Sequence, residues 1–239
     1  MINIKELYYS YDKNFVLRIE ELDFKCGVLN FIVGPNGSGK TTLLRLMNDE
    51  LKLQKGKILI NDEIQSNLCV KKKLLYLSSG DNVVPEFLSC YEFVQFMCKL
   101  YNVNFNQKKY LQQITDYKMG IFHKELIENY SHGMKKKVLL IAAALIDPSV
   151  LIIDETLNGL DIESKIIAKK QIFNSISNGK LVIIATHDLN LVNELGGRII
   201  LMLKGRIFYD GELSDLKKEF MHSSLELIIQ RIVEEIYNE

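Results

Sequence analysis

The chain has 239 residues, enough for one large α/β domain or for a core with a subdomain. Its 30 Lys and Arg residues balance 30 Asp and Glu residues, so we expect no nucleic-acid partner, since proteins that bind nucleic acid electrostatically normally carry a basic excess. Its four cysteines include no C-x-x-C pair, so reduced thiols in a cytoplasmic compartment are the simplest interpretation, without a zinc site or a disulfide framework.

No apolar run approaches the ~20 residues that a membrane-spanning helix needs, and the longest is Val138–Ile146. Lys5, Glu6 and Asp12 interrupt the N-terminal segment, so we expect no signal peptide. If the protein acts at a membrane, we therefore expect it to do so through partner proteins.

The chain begins with two segments of alternating apolar and polar residues, Ile2–Tyr8 and Phe15–Phe24. They predict an antiparallel hairpin through a polar turn at residues 12–14. Tyr11 in that turn is either a surface tyrosine or an aromatic that stacks on an adenine ring, and Tyr8 and Tyr9 compete for the second role.

A phosphate-binding loop follows the predicted strand Leu29–Val33 and leads into a predicted helix, Gly39–Leu51. The residues GPNGSGKTT, Gly34–Thr42, fit G-x-x-x-x-G-K-[ST]. Glycines let backbone N–H groups point at a phosphate, and the N-terminus of the helix adds a partial positive charge. Lys40 would reach the β- and γ-phosphates and Thr41 would bind Mg²⁺, unless this is a chance glycine turn.

The middle of the chain predicts a mainly helical insertion from Pro85 to about Ile146, after short strands at Lys55–Asn61 and Leu74–Leu77. Ser89 and Glu92 fit a capping box at the start of a helix. The apolar stripe on that helix predicts subdomain core rather than a cofactor contact. Its members are Phe93, Phe96, Met97 and Leu100.

The last third predicts a parallel sheet that is buried on both faces, because two apolar, β-branched runs flank a helix. These segments are Val150–Ile153, Leu181–Ala185 and the helix Ile162–Ser177 between them. Before them, an apolar helix is predicted at Tyr130–Ile146, with Ser131 as its N-cap. After them, the strands Ile199–Leu203 and Arg206–Tyr209 predict a hairpin. A C-terminal amphipathic helix is predicted at Ser223–Asn238.

Two acids and a histidine follow the buried strands. Asp154 at a strand end suits Mg²⁺ held through water, and Glu155 suits activation of a water for hydrolysis, unless both are merely solvated acids. His187 ends the next strand, where a role near the γ-phosphate competes with a structural one.

These motifs together resemble the ATP-binding cassette (ABC) ATPases, specifically the single-domain ATP-binding subunit of an ABC transporter. Gly34–Thr42 is similar to the Walker A loop and VLIIDE, Val150–Glu155, to Walker B. NGLD, Asn158–Asp161, resembles the D-loop, and THD, Thr186–Asp188, resembles the segment with the switch histidine. YSHGM, Tyr130–Met134, stands in place of the signature LSGGQ. The resemblance covers nearly the whole chain.

The resemblance implies an α/β fold with a P-loop NTPase core of mixed, largely parallel sheet, an N-terminal antiparallel β subdomain and a helical insertion subdomain. Residues 1–84 and 147–239 would form the core with its β subdomain, and residues 85–146 would form the helical subdomain that carries the signature. The implied cofactors are ATP and Mg²⁺.

The resemblance also assigns roles to individual residues. Catalysis would involve Glu155 as general base with Lys40 and His187, and Thr41 and Asp154 would hold the metal. The implied nucleotide contacts are Tyr11, Gly34, Pro35, Asn36, Gly37, Ser38, Gly39, Lys40, Thr41, Thr42, Ser131, Gly133 and Asp161.

The implied assembly is a head-to-tail dimer with a second ATP-binding subunit, identical or different, in which Ser131 and Gly133 of one copy cap the ATP of the other. A transmembrane permease subunit would meet the helical insertion near Pro85–Leu100. The chain would then lie in the cytoplasm, on the inner face of the cell membrane.

Several positions depart from the family pattern. Tyr130, His132 and Met134 replace the usual Leu, Gly and Gln of the signature, and Thr156-Leu157 stand where Pro-Thr is common. Ser79 occupies the place of the Q-loop glutamine, whose reach a serine lacks, although Asp81 could substitute through water.

Two alternatives to a transport ATPase follow. Ser79 favours a regulatory module that closes on ATP but hydrolyses it slowly. The basic runs Lys71–Lys73 and Lys135–Lys137 would suit a non-transport member that acts on nucleic acid or ribosomes, although each run is expected to be a solvated face.

Overall fold

The computed structural model describes residues 1–11, 15–78, 80, 84–221 and 224–238, with the side chains of 235–238 excluded. The strands are β1 (Ile2–Ser10), β2 (Val16–Phe24), β3 (Leu29–Val33), β4 (Lys55–Ile60), β5 (Glu63–Ile64), β6 (Leu74–Leu77), β7 (Val150–Asp154), β8 (Leu181–Thr186), β9 (Arg198–Leu203) and β10 (Arg206–Glu212). The helices are α1 (Lys40–Met47), α2 (Leu68–Lys71), α3 (Cys90–Leu100), α4 (Gln107–Asp116), α5 (His132–Ile146), α6 (Ile162–Ser177), α7 (Leu189–Leu195), α8 (Leu213–Glu219) and α9 (Leu225–Asn238), with 3₁₀ turns at Gly120–Lys124 and Ile127–Asn129.

The chain divides into two compact units. The first comprises Met1–Gln65 and Ile183–Glu239, and the second comprises Ser66–Val182. The division falls within β8. The subdomain limits expected from the sequence, with a helical part at residues 85–146, stay a prediction.

An antiparallel sheet in the first unit has the strand order β2-β1-β4-β5. β1 pairs antiparallel with both β2 and β4, which confirms the predicted N-terminal hairpin. The alternation that predicted it has a physical basis, since Ile2, Ile4 and Leu7 point into the core while Lys5 and Glu6 face solvent. The turn expected at residues 12–14 lies outside the described residues.

The second sheet is mixed and largely parallel. In the first unit its order is β10-β9-β3-β8, with β3 parallel to β9 and β9 antiparallel to β10. In the second unit the order is β8-β7-β6, with β6 parallel to β7. Every residue of β3, β7 and β8 is buried, as expected for strands covered on both faces. These sheets confirm the fold class that the sequence predicted.

The helix α3 begins with the predicted capping box. The Ser89 hydroxyl accepts from the Glu92 N–H at 3.3 Å, and the Glu92 carboxylate accepts from the Ser89 N–H at 2.9 Å. The expected core stripe is partly wrong, because Phe93 is buried but Phe96 and Leu100 are 52% and 54% exposed. The buried face consists instead of Phe93 with Cys90, Val94 and Cys98: Phe93 follows Cys90 by three residues, and Val94 lies four residues from both cysteines.

Two helix boundaries differ from the sequence predictions. α1 ends at Met47 rather than Leu51, and Asp49 has a left-handed backbone with φ 57°, which stops the helical hydrogen bonding. α9 begins at Leu225, where the Ser224 hydroxyl accepts from the Leu227 N–H at 3.5 Å. Ser223, where the sequence predicts that this helix begins, lies outside the described residues.

Within the described parts of the chain, none of the helices is both long and apolar enough to cross a bilayer.

Arg198 on β9 joins the two sheets of the first unit. Its guanidinium makes a bidentate pair with Asp210 on β10, with both N–O distances 2.6 Å. The same side chain donates to the Asp23 carbonyl on β2 and to the Asn30 side chain on β3. Because the Arg198 side chain is 11% exposed and the Asp210 side chain 33%, this pair is partly sheltered from solvent screening.

We expect Arg198→Met to lower the free energy of unfolding by about 2 kcal/mol, because charge-assisted hydrogen bonds are lost and Asp210 is left unpaired. Chemical denaturation measures this change. Arg206→Met, on the same hairpin but exposed, is the control and should change stability by less than about 0.5 kcal/mol. Equal effects of the two substitutions would refute the special role of Arg198.

Candidate functional site

The residues that the sequence singles out fall into two groups. The first unit contains Tyr11, the loop Gly34–Thr42 and His187. The second contains Asp154, Glu155, Ser131, Gly133 and Asp161. Each group is described within its own unit.

The glycine loop lies between β3 and α1, as predicted. A Cβ atom on Gly34 would lie 2.2 Å from the Met202 carbonyl oxygen of β9 and 2.8 Å from the Ser38 hydroxyl. Gly37 has φ 79°, which residues other than glycine adopt at a cost. Close approach at Gly34 and a left-handed backbone at Gly37 therefore explain why this loop needs glycine at both positions.

The interior of the loop is lined by polar groups that suit a phosphate. The Lys40 ammonium is buried and donates to the carbonyls of Gly34 and Pro35, at 2.7 and 3.1 Å. The Ser38 hydroxyl is 2% exposed and has no hydrogen-bond partner among the described residues. A buried hydroxyl of this kind is normally satisfied, so a phosphate oxygen fits this position.

The first turn of α1 provides further contacts. Gly39 is its N-cap, and no side chain within the described chain caps it. Its N–H groups and partial positive charge therefore suit an anion. Thr42 is buried whereas Thr41 is exposed, so the Thr41 hydroxyl is available to bind a metal ion.

Tyr11 lies in an aromatic cluster beside the loop. Its ring is 5.0 Å from that of Tyr9 and 5.9 Å from that of Phe15. A Cβ on Gly39 would lie 3.2 Å from the tip of the Phe15 ring, so Phe15 links Tyr11 to the loop. The sequence analysis missed Phe15.

The two competing tyrosines are less suitable for stacking on a base. Tyr9 is buried in the sheet, and the Tyr8 ring lies 5.6 Å from the Lys55 ammonium. Tyr11 is 53% exposed, which leaves ring surface for an adenine.

His187 is exposed directly after β8. The residues on either side of it are held by local hydrogen bonds. The buried Thr186 hydroxyl accepts from the Asp188 N–H at 3.0 Å, and Asp188 caps α7 by accepting from the N–H groups of Asn190 and Leu191. These contacts fix the backbone that carries the His187 imidazole.

In the second unit, Asp154 ends β7 and its carboxylate is buried. The Tyr76 hydroxyl, from the parallel strand β6, donates to it at 2.9 Å. Sequence reasoning missed Tyr76, although its position one residue before the end of the predicted strand Leu74–Leu77 placed it near the strand end.

Glu155 is the next residue and is partly exposed. Its backbone is left-handed, with φ 54°, a conformation that costs roughly 1–3 kcal/mol in a residue other than glycine. Neighbouring bonds hold the turn: the buried Thr156 hydroxyl donates to the Leu77 carbonyl at 2.8 Å, and the Asn158 N–H donates to the Glu155 carbonyl at 3.0 Å. The Thr156 departure from the family pattern thus has a structural role.

The signature segment forms the start of α5. Ser131 is exposed and its hydroxyl oxygen accepts from the Met134 N–H at 3.3 Å, which confirms it as N-cap and leaves the hydroxyl proton to donate. Tyr130 is buried, and its hydroxyl donates to the Phe122 carbonyl. This tyrosine therefore anchors the segment through a hydrogen bond that leucine could not make.

Asp161 caps α6 by accepting from the Ser164 N–H at 2.8 Å, and it pairs with the Lys137 ammonium at 2.8 Å. Its expected contact with nucleotide stays a prediction. The Q-loop position Ser79 and the nearby Asp81 lie outside the described residues.

We expect Gly34→Ala to destabilise the protein more than Gly37→Ala does. In Gly34→Ala the new Cβ would collide with the Met202 carbonyl oxygen. In Gly37→Ala the new Cβ has open space around it, and only the left-handed backbone conformation lowers the free energy of unfolding, by about 1 kcal/mol. Free energies of unfolding of both variants test this order. A smaller loss for Gly34→Ala would show that the loop relaxes away from β9.

Comparisons with known proteins extend these observations. The family model described as ABC transporter matches residues 17–158. The chain is 32% identical to a putative ABC transporter ATP-binding protein of Pyrococcus furiosus, over 89% of this chain and 80% of that protein. A putative ABC transporter ATP-binding protein of Clostridium tetani is 26% identical over 94% of this chain, which spans 52% of that relative's length.

The fold has close solved counterparts as well. A structure described as the ATP binding subunit of an ABC transporter superposes with a TM-score of 0.88 at 21% identity, over 98% of this chain and 99% of that one. This likeness shows the shared fold, and the matches of sequence show the family. The chain therefore belongs to the ABC transporter family.

Proposed function

We propose that this chain binds ATP and Mg²⁺ and hydrolyses ATP to power a transporter. The observation that carries the proposal is the loop Gly34–Thr42, where a buried lysine and a buried, unsatisfied serine hydroxyl face a glycine turn at an uncapped helix N-terminus. Such a loop is suited to the phosphates of a nucleotide.

The residues of the first unit bind and orient the nucleotide. Lys40 turns from its loop carbonyls to the β- and γ-phosphates, and Ser38 donates its hydroxyl proton to a phosphate oxygen. Tyr11 stacks on the adenine ring beside Phe15. His187 stabilises the charge on the γ-phosphate.

The residues of the second unit serve the hydrolytic step. The Glu155 carboxylate accepts a proton from a water whose oxygen bonds to the γ-phosphorus as the bond to the bridging oxygen breaks, which gives ADP and inorganic phosphate. Thr41 and Asp154 would hold Mg²⁺, which neutralises phosphate charge when it is bound. The Tyr76 hydroxyl orients the Asp154 carboxylate.

The partner that completes the site is a second ATP-binding subunit, identical to this chain or different from it. Ser131 and Gly133 of one copy cap the nucleotide of the other, with Asp161 at the same interface. The exposure of Ser131 and its free hydroxyl proton support this role.

A transmembrane permease subunit receives the conformational change. Apolar side chains exposed on and before α3 support a docking surface there: Phe87 is 76% exposed, and Phe96 and Leu100 are about half exposed. We therefore propose that the chain lies in the cytoplasm, on the inner face of the cell membrane.

We expect Glu155→Gln to retain ATP affinity and to lose at least about 100-fold in turnover, because the amide cannot accept the proton from water. A nucleotide-binding titration of the purified variant and its parent measures ATP affinity, and Mg²⁺-dependent release of phosphate measures turnover. Hydrolysis at the parent rate would remove Glu155 from the role of base. Tight ATP binding without turnover in the parent, with turnover gained in Ser79→Gln, would instead identify a slow switch.

We expect Tyr76→Phe to weaken metal binding about fivefold, because a hydrogen bond to Asp154 worth about 1 kcal/mol is lost. Titration with Mn²⁺ in the presence of ATP, followed by electron paramagnetic resonance, reads the affinity directly, and the Mg²⁺ midpoint of turnover should rise by the same factor.

Tyr101→Phe is the matched control for this prediction, since its hydroxyl donates to the Leu74 carbonyl of the same strand at 3.1 Å rather than to a carboxylate. Equal metal affinities in Tyr76→Phe and Tyr101→Phe would rule out an orienting role for Tyr76.

A further inference from the structure

The lysine run after the signature does not form the solvated face that the sequence predicted. Lys135 and Lys137 are only 16% and 13% exposed. The Lys135 ammonium pairs with Glu86 at 2.6 Å, the Lys136 ammonium donates to the Asn158 carbonyl, and the Lys137 ammonium pairs with Asp161 at 2.8 Å. Each lysine thus has its own acceptor, and two of the three acceptors lie between β7 and α6.

The turn that receives these contacts begins at Glu155 and ends at Asp161. At its start the Asn158 N–H donates to the Glu155 carbonyl, so Lys136 binds the residue that closes the turn around Glu155. At its end Lys137 binds the N-cap of α6. The Lys137 contact and the Ser164 hydrogen bonds hold the pKa of Asp161 well below its usual range, so the carboxylate and its ion pair persist into mildly acidic solution.

The first turn of α5 also packs directly on this turn. A Cβ on Gly133 would lie 3.3 Å from the Gly159 carbonyl oxygen. The Lys137 ammonium donates in addition to the Tyr117 carbonyl, at the end of α4, at 3.2 Å. Lys137 therefore ties three helices together at the point where the turn ends.

We propose that Lys136 and Lys137 are positioning residues that hold the 155–161 turn, and with it Glu155, against the start of α5. The proposal rests on the proposed function of Glu155 as the hydrolytic base. Glu155 has a strained backbone, which persists only where its surroundings restrain it, and the two lysines supply part of that restraint. The signature residues and the base of one chain then move as one body.

The proposal is tested on the full chain with Lys137→Met, with Lys137→Arg as the conservative rescue and Lys135→Met as the matched control. Lys135 lies on the same helix with nearly the same exposure, but it pairs with Glu86 rather than with the turn. We expect kcat of Lys137→Met to fall about ten- to hundredfold, since small misplacements of catalytic groups have effects of this size. ATP affinity, which depends on the loop at Gly34–Thr42, should stay within twofold.

Lys137→Arg should restore kcat to within about threefold of the parent, because its guanidinium can pair with the same carboxylate. Lys135→Met should keep the parent kcat. The proposal is overturned if Lys137→Met and Lys135→Met have equal kcat, or if Lys137→Met loses ATP affinity in proportion to kcat.

Hydrogen exchange of the amides at residues 156–163 tests the restraint without any turnover. We expect exchange there to be about tenfold faster in Lys137→Met and unchanged in Lys135→Met. Equal exchange in the two variants overturns the proposal even in an active enzyme. A parent that does not hydrolyse ATP refutes the proposed function, and the exchange result then decides by itself whether Lys137 holds the turn.

Discussion

The close backbone approach between Gly34 and β9 is the constraint on which the glycine loop of the first unit depends. The Met202 carbonyl oxygen lies 2.2 Å from where a Cβ at residue 34 would be, too close for any residue but glycine, and the parallel pairing of β3 with β9 keeps it there. The chain is therefore forced into its turn at the end of β3, and the Lys40 ammonium and Ser38 hydroxyl are directed into the loop. Sheet pairing thus constrains the backbone of the loop that we propose binds phosphate.

In the second unit a comparable role falls to the turn after β7. Its backbone is strained at Glu155, and the restraints come from several elements at once: Thr156 binds the end of β6, Asn158 closes the turn, and Lys137 holds the Asp161 carboxylate from α5. Strain of this kind is stable where many contacts oppose its release. If Glu155 is the general base that we propose, such support would hold its carboxylate in one orientation toward water.

Much of the fold was predictable because its signals are local. The alternation in β1 and β2, the wholly apolar strands β7 and β8, and the Ser89 cap each reflect physics within a few residues. The core face of α3 was partly wrong, since apolar residues occupy both faces of that helix and only packing selects the face with Cys90 and Val94. Tyr76 was missed because its partner Asp154 lies 78 residues further along the chain, and Phe15 because only the folded structure brings its ring to Gly39.

The sequence by itself determined the phosphate loop, the acidic strand end and the family, because glycine, lysine and carboxylate spacing along one strand and its following loop encodes that chemistry directly. Only the tertiary structure decided which way the lysine run faces. Three identical side chains in a row carry no information about their partners, and the packing of α5 against the 155–161 turn gives Lys136 and Lys137 acceptors there and sends Lys135 to Glu86. The composition gives only the number of lysines, whereas burial and interatomic distances show which acceptor each ammonium group binds.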